Sequence, residues 1–315
     1  MRSISDSGPA IDHERRRLLR LLAAVGAARF LSPFEAMAAP SGLITRKIPA
    51  TGEELPVIGL GSWITFNVGA DQVARDQCTS VIRAFLEAGG KLIDSSPMYG
   101  SSQEVIGYAL GRLNRPPAFS ADKVWITSAA AGATQVEESR RHWGVTRFDL
   151  LQVHNLLSWE AQLPLLFGMK KAGRLRYVGI TTSHGRRHDD LEAIMRRHPV
   201  DFVQVTYNPI DREVEQRILP LARERKIAVI VNRPFQQGAM VRRLERRQLP
   251  VWAREIDCSS WAQLILKFIV SHPAVTCAIP ATSVVAHARE NMGAARGRLP
   301  DAAMRRRIVQ LIGAF

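Results

Sequence analysis

Eight short apolar runs, each followed by a segment of different spacing, constrain this chain more than any other feature. They read PVIGLG (56–61), KLID (91–94), VWIT (124–127), DLLQV (149–153), RYVGI (176–180), FVQV (202–205), AVIV (228–231) and TCAI (276–279). Val, Ile and Leu dominate and alternation is weak, which is the pattern of strands buried on both faces. Between them, Gln72–Ala88, Gln103–Leu113, Thr134–His142 and Val214–Arg225 carry helical spacing. Repeated strand–helix units predict a parallel sheet. Eight of them over the chain from Gly42 onward predict a single-domain α/β fold, a closed (β/α)8 TIM barrel spanning 42–315. An open doubly wound sheet would need a complete glycine-rich phosphate turn after an early strand. GLGSWITF offers two of the glycines, and no helix follows at once. Before the first strand, ITRKIPATGEELPV predicts a β-hairpin around Thr51 and Gly52 that plugs the barrel bottom. An irregular insertion follows strand seven (Gln236–Ile256), and a terminal helix covers Asp301–Ile312.

The formal charge is +14, carried mainly by arginine in scattered doublets. No basic helix with interleaved aromatics is present, so nucleic acid is excluded as a partner and the charge reads as a solvated surface. Cys78, Cys258 and Cys277 lie far apart with no CxxC pair, which argues against a disulfide framework or a metal site. The first forty residues differ in kind. Glu14-Arg15-Arg16-Arg17-Leu18-Leu19-Arg20 matches a twin-arginine export pattern, and Ala36-Met37-Ala38 offers a cleavage site. Arg29 interrupts the apolar stretch, so no stable membrane span is expected there. Residues 1–38 are therefore expected to be a signal peptide read by the twin-arginine machinery, with a periplasmic product. The alternative is an amphipathic N-terminal helix on a cytoplasmic protein.

In such barrels, chemistry gathers where strands end, on the C-terminal face. Asp94 ends the second run, Tyr99 follows it in LIDSSPMYGSSQE, and His154 ends the fourth in DLLQVHN. Each has a plainer account by itself: a turn carboxylate, a phenol covering a core edge, a core imidazole. At one rung of one barrel they make a proton-delivery group for a carbonyl oxygen gaining negative charge.

The stretches LPVIGLGSW, LIDSSPMYGSSQEVIG, DLLQVHN, GRLRYVGIT, DFVQVTYNP and AIPATSVVAHARENM, in this order, resemble the aldo/keto reductase family from about Lys47 to Val309. The resemblance implies reduction of a small aldehyde or ketone by NADPH or NADH, with Tyr99 as proton donor supported by Asp94 and His154. It sets Thr181, Thr182 and Gln204 against the nicotinamide carboxamide and Gly61 beside the cofactor. Asn232 and Arg233 fall where an aromatic often stacks on the ring. After strand eight it implies a cofactor loop with Thr282, His287, Glu290 and Asn291. There Ala281 and His287 stand where a lysine and an arginine commonly hold the 2′-phosphate, so the preference between NADP and NAD stays open.

One departure bears on catalysis. The family usually ends strand three with a lysine, and KVWITSAAAGATQVEES predicts Ala129 in that place with a shortened loop after it. Lys123 is expected to begin the strand, at the opposite end of the barrel. Two functions therefore stand: a reductase with weakened acid catalysis, or an exported barrel that has lost the chemistry and binds a small ligand or partner at the same mouth. Trp63, Phe66, Trp159 and Phe235 are expected to wall the pocket.

Overall fold

The computed structural model describes residues 42–315, and the expected export segment at 1–38 lies outside the described residues. Strands β1 (Thr45–Lys47) and β2 (Glu54–Pro56) form an antiparallel hairpin. Its turn uses Gly52 at φ +78°, in the left-handed region that glycine enters without steric cost.

Eight parallel strands follow: β3 (Leu60–Gly61), β4 (Leu92–Asp94), β5 (Phe119–Val124), β6 (Phe148–Val153), β7 (Leu175–Thr181), β8 (Phe202–Thr206), β9 (Ala228–Asn232) and β10 (Cys277–Ala278). They pair in sequence order, and parallel bridges Ile58–Ala278 and Gly61–Ala281 bring the first back to the last. The closure depends on close backbone approach, because a Cβ at Gly61 would stand 2.7 Å from the Ile279 carbonyl oxygen. Helices fill the crossovers: α1 (Gln72–Glu87), α2 (Ser102–Arg112), α3 (Ala129–Trp143), α4 (Trp159–Lys171), α5 (His188–Arg197) and α6 (Ile218–Glu224). A short α7 (Ala239–Leu244) and a 3₁₀ segment (Val251–Ile256) occupy the insertion after β9. The barrel ends with α8 (Trp261–Val270), α9 (Val285–Gly293) and α10 (Ala302–Gly313).

Alternate residues of each strand point to opposite faces. The inward set begins with Leu92, Phe119, Leu150, Tyr177, Phe202, Ala228 and Cys277, which pack into one interior cluster. Ile48 and Leu55 of the hairpin join that cluster at 0% exposure, so the hairpin does plug the barrel. The outward set, including Ile93, Val124, Leu151, Val178 and Val203, packs against the helices. Burial on both faces is thus why these strands read as continuous apolar runs.

The third strand departs from the expectation. It occupies Phe119–Val124, not 124–127. Ser120, Asp122 and Lys123 interrupt its hydrophobicity, yet all six residues are buried. The more apolar VWIT lies mostly beyond its end, and Trp125 is 40% exposed. The polar residues survive burial because each has a partner. Ser120 Oγ donates to Asp149 Oδ2 (3.0 Å), and Asp122 Oδ2 accepts from Gln103 Nε2 (2.8 Å).

Candidate active site

The inward rows continue upward two residues at a time, and at the top of the barrel they turn polar. Leu92 is followed by Asp94, Phe119 and Ala121 by Lys123, Leu150 by Gln152 and His154, Phe202 by Gln204 and Thr206. Lys123 therefore lies at the C-terminal end of its strand, two inward steps above Phe119. The expectation that it lies at the opposite end is corrected, as is the assignment of Ala129 to the cation's place. Ala129 is exposed and opens α3, whose N-cap Ser128 accepts from the Ala131 amide.

Lys123 Nζ donates to Asp94 Oδ2 at 2.6 Å and to the Ser95 carbonyl oxygen at 2.7 Å. The same nitrogen stands 5.2 Å from the centroid of the Tyr99 ring. Asp94 is held from its other oxygen too, accepting from Gln204 Nε2 (3.0 Å) and Gln152 Nε2 (3.3 Å), while Ser62 Oγ donates to its backbone carbonyl (2.8 Å). Burial works against the ammonium, but Asp94 and then Tyr99 outweigh it and raise the Lys123 pKa above the ordinary lysine value. The site keeps a fixed positive charge.

Tyr99 rides on a 3₁₀ turn (Pro97–Tyr99) after β4. The turn is capped by Ser96, whose Oγ accepts from the Met98 amide, and it leaves through Gly100 at φ +60°. A Cβ at Gly100 would collide with Asn67, which itself holds the Ser101 amide. Burial raises the phenol's pKa; Lys123 pulls it back and Asp94 pushes it up, so the net direction is upward. The phenol stays protonated at neutral pH, with a cation beside it to receive the charge of its conjugate base.

His154 lies edge-on to Tyr99, centroids 5.6 Å apart at 85°, and its Nδ1 sits 2.7 Å from Ser96 Oγ. Burial, and then Lys123, push its pKa down to about 2. It is a neutral imidazole at any working pH. The arrangement can deliver a proton from a phenol while a neutral hydrogen-bonding ring and a buried cation flank it.

Asp94, Tyr99 and His154 line a cavity of about 330 Å³. Of the residues expected at a cofactor, Gly61, Thr181, Gln204, Asn232 and Arg233 line it. Thr182 is buried behind them, its amide bonded to the Gln204 carbonyl and its Oγ1 without a partner among the described residues. Asn232 Nδ2 donates to the Thr182 carbonyl (2.9 Å) and Gln204 Oε1 (3.3 Å), tying Thr182 and Asn232 to the residue that holds Asp94. Thr282, His287, Glu290 and Asn291 do not line the cavity. Thr282 Oγ1 accepts from the Val284 amide ahead of α9, Asn291 is buried, and His287 is exposed.

Two of the four expected wall aromatics, Trp63 and Phe235, reach the cavity. Phe66 is fully buried in the helix-side core, and Trp159 packs edge-on to His198, so neither shapes the mouth. Ile64 and Met98 take their place. Sequence reasoning missed Lys123, Gln152 and Ser96. The signal for Lys123 was the period-two continuation from Phe119 and Ala121. Ile64, Asn155, His184 and Arg233 all line the cavity at positive φ. For a branched residue such as Ile64 this conformation is costly, and such strain concentrates at functional sites.

Known proteins share the sequence family and the fold. Residues 57–308 match the model of the aldo/keto reductase family. The chain is 26% identical over 245 residues to methylglyoxal reductase YeaE of Escherichia coli, covering 75% of this chain and 84% of that one. It is 29% identical over 211 residues to aldo-keto reductase YhdN of Bacillus subtilis, covering 61% and 62%. Among solved structures, aldo-keto reductase AKR11C1 from Bacillus halodurans shares the fold at TM-score 0.71 and 20% identity, covering 86% of this chain and 96% of that one. An aldo/keto reductase from Klebsiella pneumoniae, solved with NADP and acetate, does so at TM-score 0.68 and 22% identity, covering 83% and 93%. With four-fifths of its length under the family model and a polar constellation at the mouth of an eight-stranded barrel, the chain belongs to the aldo/keto reductase family.

Proposed function

We propose that this protein reduces a small aldehyde or ketone with a nicotinamide nucleotide, and that Tyr99 donates the proton. The observation that carries this is the contact of Lys123 with Asp94 beneath the Tyr99 ring. A cation at that place favours this reading over a barrel that has lost its chemistry.

The residues at hand fit the nicotinamide half of such a cofactor better than the 2′-phosphate. Gln204 and Asn232, hydrogen-bonded to each other, and Thr181 line the cavity beside Asp94, as polar walls for an amide would. Thr181, Gln204 and Asn232 would hold the carboxamide end. Arg233, which makes no ion pair among the described residues, supplies positive charge at the rim. A nicotinamide held there would supply the hydride for the carbonyl carbon. Meanwhile the Tyr99 hydroxyl and the neutral His154 ring orient the carbonyl oxygen, and Tyr99 passes its proton as that oxygen becomes an alkoxide. Lys123 stabilises the phenolate left behind, and Asp94 with its amide donors fixes Lys123 in place. Trp63, Ile64, Met98 and Phe235 favour an apolar substituent and exclude water. YeaE and a second E. coli relative carry the name methylglyoxal reductase, which makes a small dicarbonyl the first substrate to try. We also propose export of the protein by the twin-arginine route on the sequence of Arg15 and Arg16.

The test is a nicotinamide absorbance assay on methylglyoxal and an aromatic aldehyde, with nucleotide binding followed by protein fluorescence. Tyr99→Phe should lower turnover by about 10² or more while nucleotide affinity changes little. A wild-type protein that binds neither NADPH nor NADH at millimolar concentration would sink the proposal.

A further inference from the structure

The hydroxyl of Ser96 bonds His154 and caps the turn that carries Tyr99, and its hydrogen-bond accounting fixes which nitrogen of His154 carries the proton. Ser96 is 0% exposed, its Oγ lies 2.7 Å from His154 Nδ1, and the same oxygen accepts from the Met98 amide at 3.1 Å. A serine hydroxyl has one proton to give and two lone pairs to offer. Were Nδ1 the protonated nitrogen, it and the Met98 amide would occupy both lone pairs. The hydroxyl proton would then be buried with no acceptor, at the cost of an unmade hydrogen bond. With Nδ1 unprotonated, the hydroxyl donates to it, accepts from Met98, and nothing is left unpaired. A neutral imidazole carries its single proton on the other nitrogen, so Nε2–H becomes a donor at the cavity that His154 lines. Asn155, just after His154, is also fixed, its amide donating to Thr181 Oγ1 at 3.1 Å. Turning the ring over would put a carbon against Ser96 Oγ and break the 2.7 Å bond.

We infer that Ser96 is a positioning residue that sets the His154 tautomer to Nε2–H and, through the Met98 amide, holds the Tyr99 turn at the same time. One buried hydroxyl thus couples the two groups that would meet the carbonyl oxygen, a donor ring and a donor phenol. The catalytic value of this setting rests on the reductase function proposed above; the tautomer itself does not.

The tautomer can be read directly from the 15N shifts of His154 in the ligand-free protein, with its signals assigned by their loss in His154→Gln. Wild type should give the Nε2-protonated form alone. Ser96→Ala should give a mixture of tautomers and a turnover lowered roughly tenfold to a hundredfold, with nucleotide affinity unchanged. Ser96→Thr, which keeps the hydroxyl, should behave as wild type. Ser96→Asp separates the two duties of the side chain. Its carboxylate still caps the Met98 amide, but it can only accept, so it should move the proton to Nδ1 and lower turnover although the turn is intact. A wild-type His154 protonated on Nδ1, or the same Nε2 form persisting in both Ser96→Ala and Ser96→Asp, would overturn the inference. If wild type proves inactive on every carbonyl while the tautomers follow this pattern, the proposed function fails and the Ser96 assignment stands.

Discussion

Lys123 and Asp94 form an ion pair at 2.6 Å with side chains 0% and 2% exposed, and the pair spans neighbouring strands at the top of the barrel. Desolvating two charges is expensive, and in a core such a pair often stabilises no better than apolar residues would. The surrounding hydrogen-bond partners offset part of that cost. Gln204, Gln152 and the Ser95 carbonyl satisfy what the ion pair leaves over. A pair this costly, aimed at the one phenol of the mouth, is better explained by chemistry than by stability.

Lys123→Met should lower carbonyl reduction by about 10² to 10⁴ and destabilise the fold by about 3–5 kcal/mol, since Asp94 is left charged and buried. Adding Asp94→Asn should recover most of the stability and none of the activity, measured by thermal unfolding and single-turnover absorbance. Ala129→Lys should change neither, because residue 129 is exposed at the start of α3. A gain in activity from Ala129→Lys would mean that the barrel's third strand ends elsewhere.

The error over Lys123 has a physical cause. Seven strands announced themselves because both faces are buried and apolar. The third carries Ser120 and Asp122 toward the helices and Lys123 toward the mouth, so its hydrophobicity falls where its function is greatest. The run VWIT next to it is the better strand by composition and the worse by position. Asp94, Tyr99 and His154 were legible because each sits on a recognisable strand end or turn. Ser96 and Gln152 were not, since a serine in a turn and a glutamine in an apolar strand carry no signal until their partners are known. The pocket wall was half legible for a similar reason. Trp63 and Phe66 are three residues apart, and only the fold decides that one faces the cavity and the other the core.

Cofactor preference should be weak. Ala281 lines the cavity without a charge, and His287 is exposed on the first turn of α9. Arg289 on the same helix stands 3.7 Å from Glu87, an exposed pair that is easily screened. The dissociation constants of NADPH and NADH should lie within about tenfold of each other. His287→Arg should tighten NADPH roughly threefold to tenfold and leave NADH unchanged, because a guanidinium added there can meet only the 2′-phosphate. Equal tightening of both nucleotides in a fluorescence titration would refute the assignment of His287 to that end.

The proposed export would depend on two adjacent arginines, and lysine preserves their charge while removing the guanidinium. Replacing Arg15 and Arg16 together by lysine should leave precursor in the cytoplasm. Fractionation with immunoblotting reads the outcome, and an unchanged periplasmic yield would send the protein by another route. No helix among the described residues is long and apolar enough to cross a membrane, so the barrel itself offers no competing anchor of that kind.

Asp122 gives the protein a pH dependence separate from its chemistry. It is fully buried on the helix-side face of β5, where it accepts from Gln103 Nε2 and from the Lys123 amide (2.7 Å). Burial raises its pKa to about 7, against the partial relief that Lys123 provides. The unfolded chain loses this proton near the ordinary aspartate value of 3.8, while the folded chain keeps it to about 7. Between those limits the folded state binds more protons than the unfolded state, so stability falls as pH rises through the window. Asp122→Asn removes the titration. The Asn carbonyl can still accept from the Lys123 amide, and Gln103 can turn its amide to meet the new NH₂. The variant should therefore be more stable than wild type at about pH 8, by an amount on the order of 1–4 kcal/mol, and the difference should vanish below about pH 4. Denaturant unfolding at both pH values measures it. If Asp122→Asn is less stable than wild type at the higher pH, the carboxylate is charged in the fold and acts as a counterion to Lys123.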